Sequence, residues 1–292
     1  MCFDDGNRRD FLRTAAAAVT VAGVLTDIRS AGTPAVAPGS PQSHLPAFPA
    51  DAVLTGPEQA GRFVRNRIAE GSDHIKIIVD ESGPSQETVE ALTAAAHTRG
   101  RLVMARASTA VAADRALTAG VDMVRHVPLD SPLPDALAAR FASGGHVAVP
   151  TPTMMEGFAA LGVPGTDHAA AEGSAAALHR AGARILAGTD ANCTPGIPVQ
   201  SAYGVGLHHE LDLLVQAGLT PAEALRAATS LPAQSFGLRD RGVVRPGHRA
   251  DLVLIDGDPL ADIAATRSIR RVRVGGVEHV PAGRPAGRVT RG

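Results

Sequence analysis

Residues 184–192 read RILAGTDAN, and this stretch decides how the rest of the chain is interpreted. A short apolar run ends in a Gly188-Thr189 turn, which places one carboxylate, Asp190, just beyond a predicted strand. In folds that alternate strands with helices, reactive side chains lie at the carboxyl ends of the parallel strands. Asp190 is therefore a candidate catalytic residue, and earlier strands are expected to deliver further side chains toward it.

Upstream of Asp190, strand and helix patterns alternate regularly from Pro57 onward. Strands are predicted at residues 75–79, 101–107, 121–127 and 146–153, and helices at 58–70, 85–98, 110–119, 134–143 and 169–181. This alternation predicts parallel strands joined by helices, and hence an α/β fold of barrel type.

Lys76 is the unusual residue of the first of these strands, because it lies among Ile75, Ile77 and Ile78. A barrel strand has only an interior face and a helix-covered face, so alternation turns Lys76 toward one of them. A lone buried lysine is costly unless a partner neutralises or uses it. The alternative is a lysine that extends from the strand end to solvent.

Two further polar side chains stand at predicted strand ends, Arg106 and His126. A histidine after an apolar strand is more often a core or surface residue than a ligand. Its place in a repeating series of strand ends nevertheless makes His126 a candidate site residue.

The loops after the last two strands are expected to line a substrate pocket. Pro150 and Pro152 stiffen an exit loop that carries Thr153 and Met154, and Asn192 belongs to the next rim segment. The alternative for the methionine is simple packing in the core.

Composition favours a globular protein with a small-molecule partner. The 292 residues are 45% hydrophobic, enough for a full core, and the net charge is -1. With one Tyr, seven Phe and no Trp, the chain lacks a base-stacking platform, and its basic residues are scattered, so no nucleic-acid partner is expected. No apolar run approaches the length of a membrane span. Cys2 and Cys193 show no metal-binding spacing, and no disulfide framework is predicted.

The first forty residues have two interpretations. Residues Asn7 to Leu25 pair Arg8-Arg9 with a mild apolar run, which is typical of a twin-arginine export signal. Acidic residues precede the arginines, however, and the apolar positions also fit one face of a barrel helix. We favour the helix, and with it a cytoplasmic protein, over export.

The pattern changes to strands beyond Gly237. Strands are predicted at residues 242–244, 251–255, 269–274 and 277–280. We therefore expect a barrel domain at residues 1–240, a C-terminal β segment at 241–282 and a flexible tail at 283–292.

Six blocks in this order resemble the metal-dependent amidohydrolase superfamily, especially its imidazolonepropionase-like and imidodipeptidase-like branch. The blocks are SAGTPAVAPG, GSDHIKIIVD, AGVDMVRH, RILAGTDA, HHELDLLVQAGLTPAEALRAAT and GVVRPGHRADLVLIDGDPL. The resemblance implies a (β/α)8 barrel with a small β-sandwich, one or two divalent ions, usually zinc, and hydrolysis of C–N bonds. It covers about Ser30 to Val280.

By this resemblance, three residues are metal ligands. Lys76 matches a lysine that becomes carboxylated and bridges two metals, while His126 and Asp190 match a histidine and an aspartate ligand. Asp190 would also take a proton from the attacking water, whose pKa the metal lowers.

The chain departs from the family pattern in two ways. The family begins with a strand ending in His-x-His, and no His-x-His occurs in this sequence. Arg106 also stands where a ligand histidine is expected, and a guanidinium has no lone pair to offer a metal. We therefore expect an incomplete barrel, half of the sandwich and a depleted metal site.

Three hypotheses remain open: a working hydrolase of cyclic amides, N-acyl amino acids or dipeptides, a barrel that binds a small molecule or protein without turnover, and a truncated gene product. In the depleted site, Arg106 is expected to pair with Asp190, because a buried unpaired charge is costly. Open sheet edges predict homo-oligomers or other association.

Overall fold

The computed structural model of the chain describes residues 27–45, 47–193 and 197–279. The predicted export signal or helix at Asn7 to Leu25 and the predicted tail at 283–292 lie outside these ranges. Within them, no helix is long and apolar enough to cross a membrane.

A parallel sheet of five strands forms the centre of the fold, and its strands follow one another in chain order. They are β1 (Ile75–Ile78), β2 (Val103–Arg106), β3 (Met123–Arg125), β4 (Val147–Val149) and β5 (Arg184–Ile185). A bridge between Ala35 and Ile77 adds the preceding chain to the outer edge of β1. The sheet does not close on itself within the described residues, which confirms the predicted α/β fold with a partial barrel.

Helices join the strands and continue beyond them. They are α1 (Ala60–Ala69), α2 (Gln86–His97), α3 (Ala110–Thr118), α4 (Asp135–Ser143), α5 (Pro152–Ala159), α6 (His168–Arg180), α7 (Val205–Gln216), α8 (Pro221–Ala228) and α9 (Ser230–Ser235). Every connection between successive strands of the sheet contains at least one of them, as parallel pairing requires.

The two faces of the sheet differ in chemistry. Ile75, Ile77 and Ala105 belong to the main core cluster under the helices. The alternate residues Lys76 and Arg106 point to the opposite face, where the register pairs Lys76 with Met104 and Arg106 with Arg125. Strand alternation therefore places basic side chains side by side on the inner face.

The segment after β4 is helical, whereas the sequence predicted an exit loop there. Thr151 is the N-cap residue of α5 and Pro152 occupies its first turn. Proline is well suited to that position because its missing N–H is not needed there. Pro152 therefore restricts the backbone of this segment as expected, but the segment is the first turn of a helix and not a loop.

A capping box at Thr220 begins α8. The Thr220 hydroxyl accepts a hydrogen bond from the Glu223 backbone N–H, and the Glu223 carboxylate accepts one from the Thr220 backbone N–H. This box fixes the start of α8, which packs on α7 through Leu211 and Ala224.

A three-stranded antiparallel sheet follows: β6 (Leu252–Ile255), β7 (Ile269–Val274) and β8 (Val277–His279). The strand predicted at 242–244 is not formed, and these residues lie in bends. Gly242 requires a positive φ of 86° and a Cβ there would meet the Thr229 carbonyl at 2.9 Å, so the backbone turns at this point instead of extending. The other three predicted strands are confirmed.

The antiparallel sheet carries an exposed apolar face. Val253 pairs with Val272, and Val274 pairs with Val277, so these side chains share one face. Val253 is 58% exposed and Val277 is 51% exposed. An apolar sheet face favours association with another chain, as do outer strands that pair on one side only within the described residues.

We expect the protein to associate through this face. Sedimentation velocity should give a sedimentation coefficient that rises with protein concentration, and Val253→Lys should reduce the rise. Val244→Lys is the matched control, because Val244 is 87% exposed but lies outside the sheet. A compact monomer at every concentration would contradict the expectation.

Candidate functional site

The carboxyl ends of β3, β4 and β5 share an unusual backbone conformation. His126, Thr151 and Asp190 have φ values of 72°, 52° and 48°. Ala47 is the one other non-glycine residue with positive φ in the described ranges. Such residues cost free energy and cluster at functional sites, so this edge is the candidate site on backbone geometry alone.

His126 is the buried centre of this group. Its side chain is 1% exposed, its Nδ1 lies 2.7 Å from Thr151 Oγ1, and its Nε2 lies 3.7 Å from Asp190 Oδ2. Burial, followed by the charges of Arg106, Arg125 and Lys76, holds the pKa of His126 well below its usual value. The imidazole is therefore neutral, and its buried Nε2 has no hydrogen-bond partner in the described part of the chain.

Asp190 pairs with Arg125, which corrects the expectation that its partner is Arg106. Arg125 donates to Asp190 Oδ1. Arg106 donates from Nε to Asp80 Oδ2 at 3.2 Å instead. Because β3 lies one strand closer to β5 than β2 does, Arg125 reaches Asp190 first.

Asp80 is held in place at the end of β1 by the loop after β2. The backbone N–H and the hydroxyl of Ser108 both donate to Asp80 Oδ1 at 2.8 Å. The carboxylate therefore orients the Arg106 side chain from a fixed position. Arg106 lines the same cavity as His126, and its carboxylate partner is Asp80 and not Asp190.

Lys76 lies on the inner face of β1 and is partly buried. Its charge contributes to the lowered pKa values of both His126 and His74, so it lies close to the site. The carboxylated form is implied by the family resemblance alone; we expect an ordinary lysine here, because a carbamate would need two metal ions to hold it.

The residues predicted to line a pocket occupy different positions. Met154 is buried at 1% exposure, and Thr153 donates its backbone N–H to Glu210 Oε2 at 3.1 Å. Asn192 braces the loop after β5 by donating to the carbonyls of Asp190 and Val199. Cys193, beside it, is disulfide-bonded, although no disulfide framework was predicted.

Two cavities open at this edge of the sheet. One, of about 230 Å³, is lined by Arg125, Thr151, Asp190 and Phe236, among others. The second, of about 460 Å³, has Arg106 and His126 at one end and α5 along its side. His126 and Asp190 therefore stand between two spaces that a small molecule can enter.

Glu210 of α7 is a fully buried carboxyl that ties two of the strained loops together. It accepts hydrogen bonds from the backbone N–H of Thr153, at 3.1 Å, and of Gly188, at 3.2 Å. Thr153 follows Thr151 by two residues, and Gly188 precedes Asp190 by two residues. Sequence reasoning missed Glu210, and its signal was an acidic residue between apolar positions of a helix.

The donors present do not complete a site for a tightly held divalent metal. His126 Nε2 and Asp190 Oδ2 face each other, but no group of three His, Cys, Asp or Glu side chains capable of holding an ion occurs in the described ranges. Arg106 and Arg125 add positive charge beside them. A structural or catalytic zinc site normally needs at least three protein ligands.

The sequence profile of the amidohydrolase family matches residues 21–278. The chain belongs to the amidohydrolase family. It is 44% identical over 95 residues to imidazolonepropionase of Deinococcus deserti, a match that spans 32% of this chain and 22% of that protein.

Two solved structures have a similar fold. A Xaa-Pro dipeptidase with bound methionine superposes with a TM-score of 0.78 at 24% identity, covering 95% of this chain and 73% of the other. A protein described as a prolidase, from Bifidobacterium longum, superposes with a TM-score of 0.75 at 28% identity, covering 95% and 71%.

The titration of Glu210 should be visible in stability. Burial raises the pKa of Glu210 from 4.5 to about 7, so in this pH window the folded state keeps a proton that the unfolded chain releases. The free energy of unfolding contributed by Glu210 is therefore lost as pH rises, by up to about 3 kcal/mol between pH 5 and 8.

Chemical denaturation of wild type and Glu210→Gln across this range tests the point, because the neutral amide does not titrate. The wild-type stability relative to the variant should fall as pH rises. Buried His74, whose pKa burial lowers to about 4, has the opposite effect, but both proteins share it. Glu172→Gln, at an exposed acid of α6, should show no such trend, and a flat difference for Glu210→Gln would contradict the prediction.

Proposed function

We propose that this amidohydrolase-family chain hydrolyses a C–N bond in a small molecule such as a cyclic amide, an N-acyl amino acid or a dipeptide, with Asp190 as the proton acceptor. The convergence of three strained strand ends on one buried histidine carries the proposal. Maintaining that strain in a fold requires compensation elsewhere, which favours a retained chemical role.

The reaction requires a proton acceptor, and Asp190 is placed for this role. Its Oδ1 is held by Arg125, while its Oδ2 faces the buried Nε2 of His126. Water attacks the carbonyl carbon, Asp190 takes the proton of that water, and the same proton passes to the leaving nitrogen as the C–N bond breaks.

The basic residues have an electrostatic role in this scheme. Negative charge develops on the carbonyl oxygen as water adds, and guanidinium groups that are already oriented stabilise it without reorganisation. Arg125 is held in this way by Asp190. The neutral His126 can donate or accept one hydrogen bond beside this guanidinium without adding charge.

Zinc or another divalent ion is the cofactor that the family resemblance implies. The ligands required to hold it are not completed by His126 and Asp190, so the scheme gives roles only to the side chains themselves. Metal analysis of the purified protein is therefore part of the test.

Binding without turnover is a second candidate function. The pairing of Arg125 with Asp190 favours it, because a carboxylate engaged by a guanidinium is a weaker base. In this case the site would hold the same class of small molecule and release it unchanged.

Asp190→Asn should separate the two functions. If the chain is a hydrolase, turnover of N-acyl amino acids or dipeptides should fall by about 100-fold or more, because removing a general base typically costs this much. Asp114→Asn, at an exposed acid paired with Arg140, is the control and should retain full rate. Wild-type protein that binds these compounds but turns none over, with or without added zinc, would favour the second function.

Arg106→His should raise the affinity for zinc. The change replaces a side chain without a lone pair by one that ligates metals, beside the unpartnered Nε2 of His126. Competition with a chromogenic chelator measures the affinity, and Arg99→His, at an exposed position of the α2–β2 connection, controls for adding a surface imidazole. Equal zinc affinity in wild type and the Arg106 variant would contradict this expectation.

A further inference from the structure

The larger cavity beside α5 combines a charged end with an apolar wall. Its volume is about 460 Å³, within the range of small-molecule pockets. Arg106 and His126 lie at one end, and Leu129, Met155 and Phe158 line the wall. We refer to it below as the α5 cavity.

The rim of the α5 cavity is apolar and exposed. Leu161 and Val163, in the segment that follows α5, are 49% and 52% exposed and line the opening. Exposed large apolar side chains around a concave site indicate a surface that a ligand covers. Deeper in the cavity, Met155 is 3% exposed and belongs to the main core cluster, so the wall is rigid.

Arg106 presents donors to this space. Only its Nε has a hydrogen-bond partner in the described part of the chain, namely Asp80. The two terminal amino groups of the guanidinium can therefore bind a carboxylate through two parallel hydrogen bonds. Asp80, fixed by Ser108, holds the guanidinium in orientation for this contact.

The remaining charge at the cavity restricts the ligand further. Asp130 also lines it and is exposed at its rim. A second negative charge on a ligand would be repelled by this carboxylate, whereas a single ligand carboxylate can pair with the Arg106 guanidinium. The cavity thus suits a monoanion.

We propose that the α5 cavity binds a monocarboxylate that carries an aromatic or branched aliphatic group, with the carboxylate on Arg106 and the apolar group against Phe158 and Leu161. The carboxylate then lies in the cavity that His126 also lines, and the Nε2 of His126 is 3.7 Å from Asp190 Oδ2. The proposal of binding depends only on the cavity, whereas the role of the cavity as a substrate subsite rests on the proposed function. An N-acylated aromatic amino acid is the simplest compound of this class.

Calorimetric titration with three probes tests both the carboxylate contact with Arg106 and the apolar contact with Phe158 and Leu161. N-acetyl-L-phenylalanine should bind wild-type protein at least about tenfold more tightly than N-acetylglycine, which lacks the ring, since burying an aromatic side chain contributes more than the 1.4 kcal/mol that a tenfold change represents. It should also bind about tenfold more tightly than N-acetyl-L-phenylalanine amide, which lacks the charge, because hydrogen bonds between a guanidinium and a carboxylate are stronger than those to a neutral amide.

Two variants assign these preferences to residues. Arg106→Gln should abolish the preference for the acid over the amide and keep the preference for phenylalanine over glycine. Leu161→Ser should abolish the preference for phenylalanine over glycine and keep the preference for the acid over the amide. Val111→Ser, at a 68% exposed valine on α3 outside the cavity, is the matched control and should bind as wild type does. Because Leu161 is half-exposed, its variant tests the apolar half even if the Arg106 variant is unstable.

Equal binding of the three probes by wild type, or unchanged preferences in both variants, would overturn the proposal. Selective binding without turnover would keep the cavity assignment and remove the hydrolase function. Turnover of a substrate without these preferences would keep the hydrolase function and remove the cavity assignment.

Discussion

The site depends on the in-register parallel pairing of β1, β2 and β3. Because side chains alternate along each strand, this register turns Lys76, Arg106 and Arg125 to the same inner face, with Arg106 and Arg125 directly opposite each other. Like charges so close are tolerated only if carboxylates lie between or beside them, and Asp80 and Asp190 meet this need. A shift of one residue in the register would bury the three cations under the helices, so the charges and the fold constrain each other.

The second constraint acts through the buried carboxyl of Glu210. It joins α7 to the start of α5 and to the loop that carries Asp190. The carboxyl has two acceptor oxygens and uses one for each segment, so no neutral amide reproduces both contacts. The relative position of the β4 and β5 ends is therefore set from a helix behind the sheet, and not by the short β5 itself.

The fold and most of the site were predictable from the sequence because strand ends are marked by where an apolar run stops. This placed Asp190, Arg106 and His126 at one edge correctly. The partner of Arg106 was not predictable, since a long guanidinium can choose between carboxylates on several strands, and only the strand order decides that Asp190 meets Arg125. The burial of Glu210 was not predictable either, because it results from the packing of α7. A single acidic residue in a helix normally faces solvent.

The left-handed backbone of His126, Thr151 and Asp190 has a consequence for how this protein can change over time. Glycine adopts these φ values without strain, so replacing any of the three by glycine removes a local cost along with the side chain. If thermal stability alone were selected, substitutions to glycine would therefore be favoured at these three positions. In this chain the backbone cost at these three positions is offset by the surrounding structure, including the contacts that their side chains make.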